Sequence, residues 1–395
     1  MSISIRHSQA ADLDLLLQMF DHSRQLMRQS GNLVQWQGYP SPADLLADIN
    51  AHTSLVLTQK GHPIATLALV PGADPHYQHI DNGQWLDPDT PYATLHRLAK
   101  LPQADGLHPA HRLIAFAQSQ FSHLRLDTHP TNAALQHIAL QHHFAPCGIV
   151  HMDDHTPRIA YEWHRWEEIP TTLHHHIDRH ILPHYDHFDP AHRRDHALRV
   201  IARSMLLRRL LATTTPEALL GSPACLYIAA ACHDIGLHRG RDLHHTASAQ
   251  FILHHAPFRQ WLSSDEIILA AEAAEDHRAS AAQPPRSIVG RILAEADRDI
   301  HPTRIIRRTI AYSLHHYPTL DRQGHFLRTL QHLQEKYSPS GYLHLLLPQS
   351  PNAQPLADLQ ALIADPPRLQ NLFDQLFLQL TTSSAPLPKS HLQDT

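Results

Sequence analysis

His196, His233, Asp234 and Asp297 are the side chains whose types and placement point most directly to chemistry. His196 opens His196-Ala197-Leu198-Arg199-Val200, near the start of a long helical pattern. His233 and Asp234 end the apolar run Leu226 to Cys232, and Ile235-Gly236 closes the turn. Asp297 ends Ile292-Leu293-Ala294-Glu295-Ala296-Asp297. Two imidazoles and two carboxylates arriving from three helices suit a hard-to-borderline divalent ion such as Mn²⁺, Fe²⁺ or Mg²⁺. With 39 histidines in 395 residues, residue type alone means little, and the helix-end setting is the signal. A bound ion lowers the pKa of its water and neutralises phosphoryl oxygens. Asp234 and His233 are therefore candidate catalytic residues as well as ligands. Arg278, Arg286 and Arg298 are candidates for holding phosphate, because guanidinium matches it bidentately. Asp299 is a neighbour of Asp297 that should not face the same site.

A second set of residues suits an anion of another kind. Gln103-Ala104-Asp105-Gly106-Leu107-His108-Pro109 lies between a strand pattern and a helical one. Such a turn points backbone N–H groups at an anion, with the helix dipole behind them. Pro109 suits the first helical turn, where its missing N–H is not needed.

The elements that must position these groups divide the chain in two. Residues 1–166 alternate strand and helix signals around a single sheet: strands at Ile3 to Arg6, Ser54 to Thr58, Ile64 to Leu69, Tyr92 to Lys100 and Leu124 to Thr128, then a closing hairpin of Gly148 to Met152 with Ile159 to Trp163. Helices are expected at Asp12 to Arg28, with Asp12 as its cap, at Pro109 to Ser119 and at Ala133 to His142. After Trp166 the pattern is helical almost throughout, from Leu173 to His316 and again near Leu327 to Lys336. An α+β two-domain chain follows: 1–166 mixed α/β, 172–345 all-α, 346–380 a helical extension of one or two helices around Pro366-Pro367, and 381–395 a polar disordered tail.

Composition narrows the function. With 42% hydrophobic and 17% charged residues the chain can bury cores. Thirty-two Lys and Arg against 37 Asp and Glu exclude a strongly basic nucleic-acid binder. Three cysteines form no CxxC pair and no disulfide framework, which fits a reducing compartment. No secretory pattern opens the sequence, and the apolar stretch Ala218 to Cys232 is too short to span a bilayer. A cytoplasmic protein acting on small molecules is expected, without a membrane or nucleic-acid partner.

The first constellation resembles the HD-domain metal-dependent phosphohydrolases, whose H…HD…D signature matches His196, His233, Asp234 and Asp297 in order and in helical context. The resemblance covers residues 172–345 and implies hydrolysis of a phosphomonoester or phosphodiester, possibly of a nucleotide class, with Mn, Fe, Mg, Ni or Zn. Asp242-Leu243-His244-His245-Thr246 and Glu275-Asp276-His277-Arg278-Ala279-Ser280 resemble the extra histidine positions of members that hold two ions. This implies His245 and His277 as further ligands, with His244 the alternative to His245.

The second constellation resembles the GNAT superfamily of acyl-CoA-dependent N-acetyltransferases over residues 1–164. That resemblance implies that acetyl-CoA is held by Gln103, Ala104, Asp105, Gly106, Leu107 and His108 at its pyrophosphate, by backbone of Leu98, Ala99 and Lys100 along its pantetheine, and by Asn132. A primary amine would be the acetyl acceptor, with His96 or a water relay as base. His108 stands at a small-residue position, and Ala139 where many members carry a tyrosine that protonates the leaving thiolate. These departures motivate an alternative, in which a non-catalytic acyl-CoA sensor regulates the hydrolase. A histidine-rich metal buffer is the third reading. The leading expectation is a bifunctional enzyme.

Overall fold

The computed structural model describes residues 2–29, 31–33, 35–278 and 283–382. The chain forms two compact units, Met1–Glu167 and Glu168–Thr395.

The first unit contains, in chain order, β1 (Ile3–His7), α1 (Leu13–Gln29), α2 (Pro42–Asn50), β2 (Ser54–Gln59), β3 (His62–Pro71), β4 (Ala93–Lys100), α3 (Pro109–Gln120), β5 (His123–Thr128), α4 (Ala133–Gln141), β6 (Ala145–His151) and β7 (Pro157–His164). The strands form one sheet in the order β1-β2-β3-β4-β5-β7-β6. All neighbours are antiparallel except β4 and β5, which run parallel. Strands β2 and β3 are near-continuous apolar runs because both faces of the sheet are covered. Val56 faces Leu16, Met19 and Phe20 of α1 with Leu45 and Ile49 of α2. Its neighbours Leu55 and Leu57 face Leu113, Ile114 and Ala117 of α3 with Ala139 of α4.

Strands β4 and β5 pair only from Ala93↔Leu124 to Leu95↔Leu126. Beyond that point β4 continues beside β3 and β5 beside β7, so the two strands part and a cleft opens between them. A bulge sits where they part, because Thr66 pairs with Ala99 and Ala68 with His96. Arg97 occupies it with φ 54°. One extra residue reverses the alternation of side chains. Leu98 therefore packs on the same side as Leu95, while Ala99 joins the α1 core.

Two local features differ from expectation. Asp12 does not cap α1 from its own position. It accepts from the Gln9 N–H (2.8 Å) and from Arg6 (2.7 Å), within a short 3₁₀ turn that leads into the helix. Helix α2 was missing from the pattern. It is set by Ser41 as cap, Pro42 in the first turn and Asp44 three residues on.

The second unit is helical: α5 (Thr171–His180), α6 (Leu182–Tyr185), α7 (Arg194–Leu211), α8 (Glu217–Leu220), α9 (Pro223–Cys232), α10 (His244–His254), α11 (Ser264–Asp276), α12 (Ile288–Asp297), α13 (Pro302–His316), α14 (Arg322–Tyr337), α15 (Ala353–Ala364) and α16 (Pro366–Thr382). Helix α9 has no polar face and is buried from Ala224 onward, packed by α5, α7, α10, α11 and α12. The apolar stretch Glu217–Arg239 is thus mostly buried, and it is broken into α8, α9 and a 3₁₀ turn. Helices α13 to α16 share a separate core around Ile306, Ile310, Phe326, Leu333, Leu359, Leu369 and Phe373. The extension after residue 345 therefore packs in one layer with the helices before it, and Pro366 divides it into two helices. Of the expected tail, Thr381 and Thr382 close α16, and 383–395 lie outside the described residues.

Glu295, fully buried on α12, joins this layer to the α9 bundle. It accepts from the Leu346 N–H (2.8 Å), the Asn352 amide (3.1 Å), Arg298 (3.1 Å) and the Ser350 hydroxyl. Glu295→Ala leaves these donors and the Arg298 charge uncompensated and should destabilise the second unit by about 3 kcal/mol. Ser350→Ala should cost about 1 kcal/mol. Thermal denaturation followed by calorimetry resolves the two.

Candidate metal centre and acyl-carrier cleft

Helix ends bring the ligating groups together. His196 lies in the first turn of α7, His233 caps the C-terminus of α9, Asp234 follows it, His244 opens α10, His277 caps α11 and Asp297 ends α12. Asp234 is the hub. Its Oδ2 lies 3.5 Å from His196 Nε2 and 3.3 Å from His233 Nε2, and its Oδ1 lies 3.4 Å from both His244 Nε2 and His277 Nε2. Asp297 Oδ1 completes the first group at 3.2 Å from His196 Nε2. Two ligand sets, His196, His233, Asp234 and Asp297, and Asp234, His244 and His277, thus share one carboxylate.

The imidazoles are oriented for ligation. Nδ1 of His233 faces the Ala230 carbonyl (2.8 Å), that of His244 the Arg241 carbonyl (2.6 Å) and that of His277 the Ala274 carbonyl (2.6 Å). A carbonyl only accepts, so each Nδ1 carries the proton and each Nε2 presents its lone pair to the centre. The acceptors on α9 and α11 are last-turn carbonyls, which have no partner within their own helix. Nε2–Nε2 separations of 3.1 Å (His196 and His233) and 3.2 Å (His244 and His277) match adjacent ligands about 2.1 Å from one ion. The donor set fits one or two divalent cations. Burial opposes charge on His196, but Asp234 and Asp297 outweigh it and raise the group to about 9. Asp234 and Asp297 are likewise held below the ordinary carboxylate range, against burial, by the surrounding imidazoles. Tyr185, buried beside the turn, donates to the Ala231 carbonyl (2.9 Å) and accepts from the Asp234 N–H (3.3 Å).

A cavity of about 230 Å³ opens onto the centre, lined by Asp234, His244, His277 and Asp297 with His192, Arg278, Lys336 and Tyr342. It corrects several expectations. His244 joins the centre in place of His245, since adjacent residues at a helix start point about 100° apart. Arg286 is bound by Asp276, Glu275 and Glu272. Arg298 is engaged by Glu295 and the His344 carbonyl. Of the three arginines, only Arg278 lines the cavity. His192 also lines it. Lys336 and Tyr342 were missed because α14 and the segment after it lie far along the chain from the ligands. Asp299 turns away to Arg203 and Arg304. Ala279 and Ser280, quoted with the His277 motif, lie outside the described residues.

In the first unit, a cavity of about 610 Å³ follows the parted strands. Leu95, Leu98, Ile114, Leu126 and Leu135 give it apolar walls. Of the ten residues expected at the cofactor, Leu98 and Asn132 line it, and Asn132 also caps α4 through the Leu135 N–H (3.2 Å). Ala99 and Ala104 are buried in core, and Lys100 pairs with Asp105. Gln103, Asp105, Gly106, Leu107 and His108 form the turn before α3, outside this cavity, with Gly106 (φ 79°) and His108 (φ 50°) both left-handed. Ala139 is fully buried in the core and does not line this cavity. At the other end Asp74 binds His96 Nε2 (2.8 Å), the His76 N–H (2.8 Å) and His76 Nδ1 (3.0 Å). A further group, Asp87, His123 and His164, is organised differently. Buried Glu162 spans both rings, at 2.6 Å and 3.1 Å, and makes it a hydrogen-bond network.

Comparison with known proteins places the second unit. Residues 193–299 match the HD domain family. The HD match spans α7 to α12 and contains all six residues of the candidate metal centre, whereas Lys336 and Tyr342 lie beyond it. The first unit is similar to solved acetyltransferases. A GNAT-family acetyltransferase from Streptococcus agalactiae is 27% identical, covering 42% of this chain and 96% of that one with a TM-score of 0.40. A GNAT-family acetyltransferase from Listeria monocytogenes is 14% identical, covering 41% and 95%, TM-score 0.33. A ribosomal-protein-alanine N-acetyltransferase from Brucella melitensis is 16% identical, covering 41% and 99%, TM-score 0.31. No curated protein matches the chain.

Two outcomes follow. Elemental analysis of tag-free protein should find near two metal equivalents. His277→Ala and His244→Ala should each remove one, Asp234→Ala both, and His245→Ala neither. For Asp74, burial alone would raise the carboxyl, but the bonds and charge of His96 and His76 bring it to about 2. A folded pKa below the unfolded value means that this stabilisation is present above about pH 4 and is lost as pH falls towards about 2. Asp74→Asn should flatten the acid-unfolding curve of the first unit across that window.

Proposed function

We propose that the chain is a cytoplasmic bifunctional enzyme, a divalent-metal-dependent phosphohydrolase joined to an acetyl-CoA-dependent N-acetyltransferase. The observation that carries the first half is the two-sided Asp234 carboxylate, with a separate histidine pair on each oxygen. His196, His233, Asp234 and Asp297 would hold one ion, and Asp234, His244 and His277 a second. A bound ion supplies a Lewis acid and a water acidic enough to attack at neutral pH. The protein's own part is to hold the ester. Arg278 and Lys336 flank the cavity and match phosphate oxygens. Tyr342 and His192 also line it, and about 230 Å³ accommodates a phosphate and the start of its ester group. The Tyr185 hydroxyl keeps the Asp234 backbone fixed beside the ester. A phosphomonoester or phosphodiester is the substrate class.

The second half rests on the parted strands. Past Leu95, the edge of β4 no longer pairs with β5, which leaves backbone groups for an extended pantetheine. The turn before α3 offers first-turn N–H groups to the pyrophosphate. The burial of Ala139 favours one rival, a unit that binds acyl-CoA without turnover and regulates the hydrolase.

Asp234→Asn should lower phosphoester hydrolysis by at least about 100-fold while leaving acetyl-CoA affinity unchanged. Hydrolysis assays with metal repletion, beside titration calorimetry with acetyl-CoA, check both halves. Unchanged hydrolysis in the variant overturns the phosphohydrolase reading. Acetyl-CoA binding without thiol release across an amine panel selects the sensor.

A further inference from the structure

Histidines gather a second time in the second unit, where α5 meets the end of α10. The run His174-His175-His176 on α5 divides three ways. The His174 Nδ1 lies 2.9 Å from the Tyr227 hydroxyl, and His175 faces solvent. His176 turns towards α10, where its Nε2 lies 2.7 Å from Nε2 of His255, the residue that caps that helix. His180 stands one turn along α5, its ring centre 4.8 Å from that of His176, and the His255 ring is 5.0 Å from His176. The ligating rings of the candidate metal centre have nearly the same spacing, 5.2 Å for His196 and His233 and 5.1 Å for His244 and His277. Neither His176, His180 nor His255 lines the cavity over Asp234. Aromatic neighbours fix the rings. Phe258 and Trp261 pack on His176 at 5.8 Å and 5.3 Å, and Phe251 stacks on His255 at 5.0 Å. Among the described residues none of the three histidines pairs with a carboxylate. Burial first, then the His180 ring, holds His176 below the ordinary imidazole value, and burial with His176, His180 and His184 does the same for His255. Neutral imidazole is the ligating form.

We infer that His176, His180 and His255 form a further metal site, an all-imidazole one for a borderline divalent cation of the zinc, nickel or copper kind. Imidazole without carboxylate suits these ions, whereas Mn²⁺ and Mg²⁺ ask for oxygen ligands. Two of the ligands stand at i and i+4 on one helix, where side chains are neighbours, and the third comes from a second helix. The hydrogen between His176 and His255 gives way to the ion, and each ring then keeps its proton on Nδ1. Because the aromatic contacts hold the His176 and His255 rings beforehand, little ordering is left for the ion to impose. The bound ion ties α5 to the C-terminal end of α10, the helix whose first residue is His244.

The test saturates the tag-free full chain with Zn²⁺ or with Mn²⁺, desalts it and measures bound metal. Zn²⁺ should leave one equivalent more than Mn²⁺. In Zn²⁺ calorimetry His176→Ala, His180→Ala and His255→Ala should each weaken that extra equivalent at least about tenfold. His180 is exposed, so its loss does not endanger folding. His175→Ala and His254→Ala should keep the extra ion, since His175 faces solvent and His254 Nδ1 is turned to the Gln250 carbonyl (2.7 Å). Asp234→Ala should keep it too while losing the ions of the centre, which separates failure at one site from failure at the other. No extra zinc equivalent, or one unmoved by the three substitutions, overturns the inference. Equal weakening in His175→Ala or His254→Ala also overturns it, in favour of diffuse binding by surface histidines.

Discussion

The second unit depends on the placement of one carboxylate at the end of a helix that has no solvent-facing side. Asp234 costs free energy to bury, and the imidazoles that converge on it offset that cost. They arrive there because α9 is packed all round. A helix enclosed on every side must end inside the bundle, so its C-terminal residues face the N-terminus of α7 and the ends of α11 and α12. The same packing brings Gly236 against α10, where a Cβ would meet the His244 carbonyl oxygen at 2.2 Å and the Ser248 nitrogen at 2.6 Å. That close approach lets α10 deliver His244. Any side chain at 236 would push His244 away from Asp234 and His277.

Much of this was legible because helical periodicity and apolar content decide which segments are buried, and the ligands sit where those segments end. The limits were equally physical. Choosing between His244 and His245 requires the rotation of α10, which is fixed by packing against the 3₁₀ turn before it. Arg286 and Arg298 looked available because the sequence does not show the acidic groups that occupy them. Lys336 and Tyr342 reach the cavity through the fold of the C-terminal layer, which no motif announces.

In the first unit the sheet order follows from short connections and alternating strands, but the cleft does not. It arises where β4 and β5 stop pairing, and the residues exposed there depend on the bulge at Arg97. Strict alternation would place Leu95, Arg97 and Ala99 on one side. The extra residue gives Leu95 and Leu98 instead, and it turns Arg97 towards Asp48 and Tyr39. The cofactor residues expected from the turn motif therefore divide between the cleft wall, the core and the α3 turn.

Helix α12 carries Glu295 and Asp297 less than one turn apart. One anchors the layer that supplies Lys336 and Tyr342, and the other belongs to the ligand set. The floor and the far wall of the cavity therefore hang from the same half-turn of backbone. Binding of an ion at the proposed centre and attachment of the C-terminal layer would then be linked equilibria, each strengthening the other by an equal free energy. Loss of the last four helices would consequently be felt as a change in affinity at the ligands, although none of those helices contributes one.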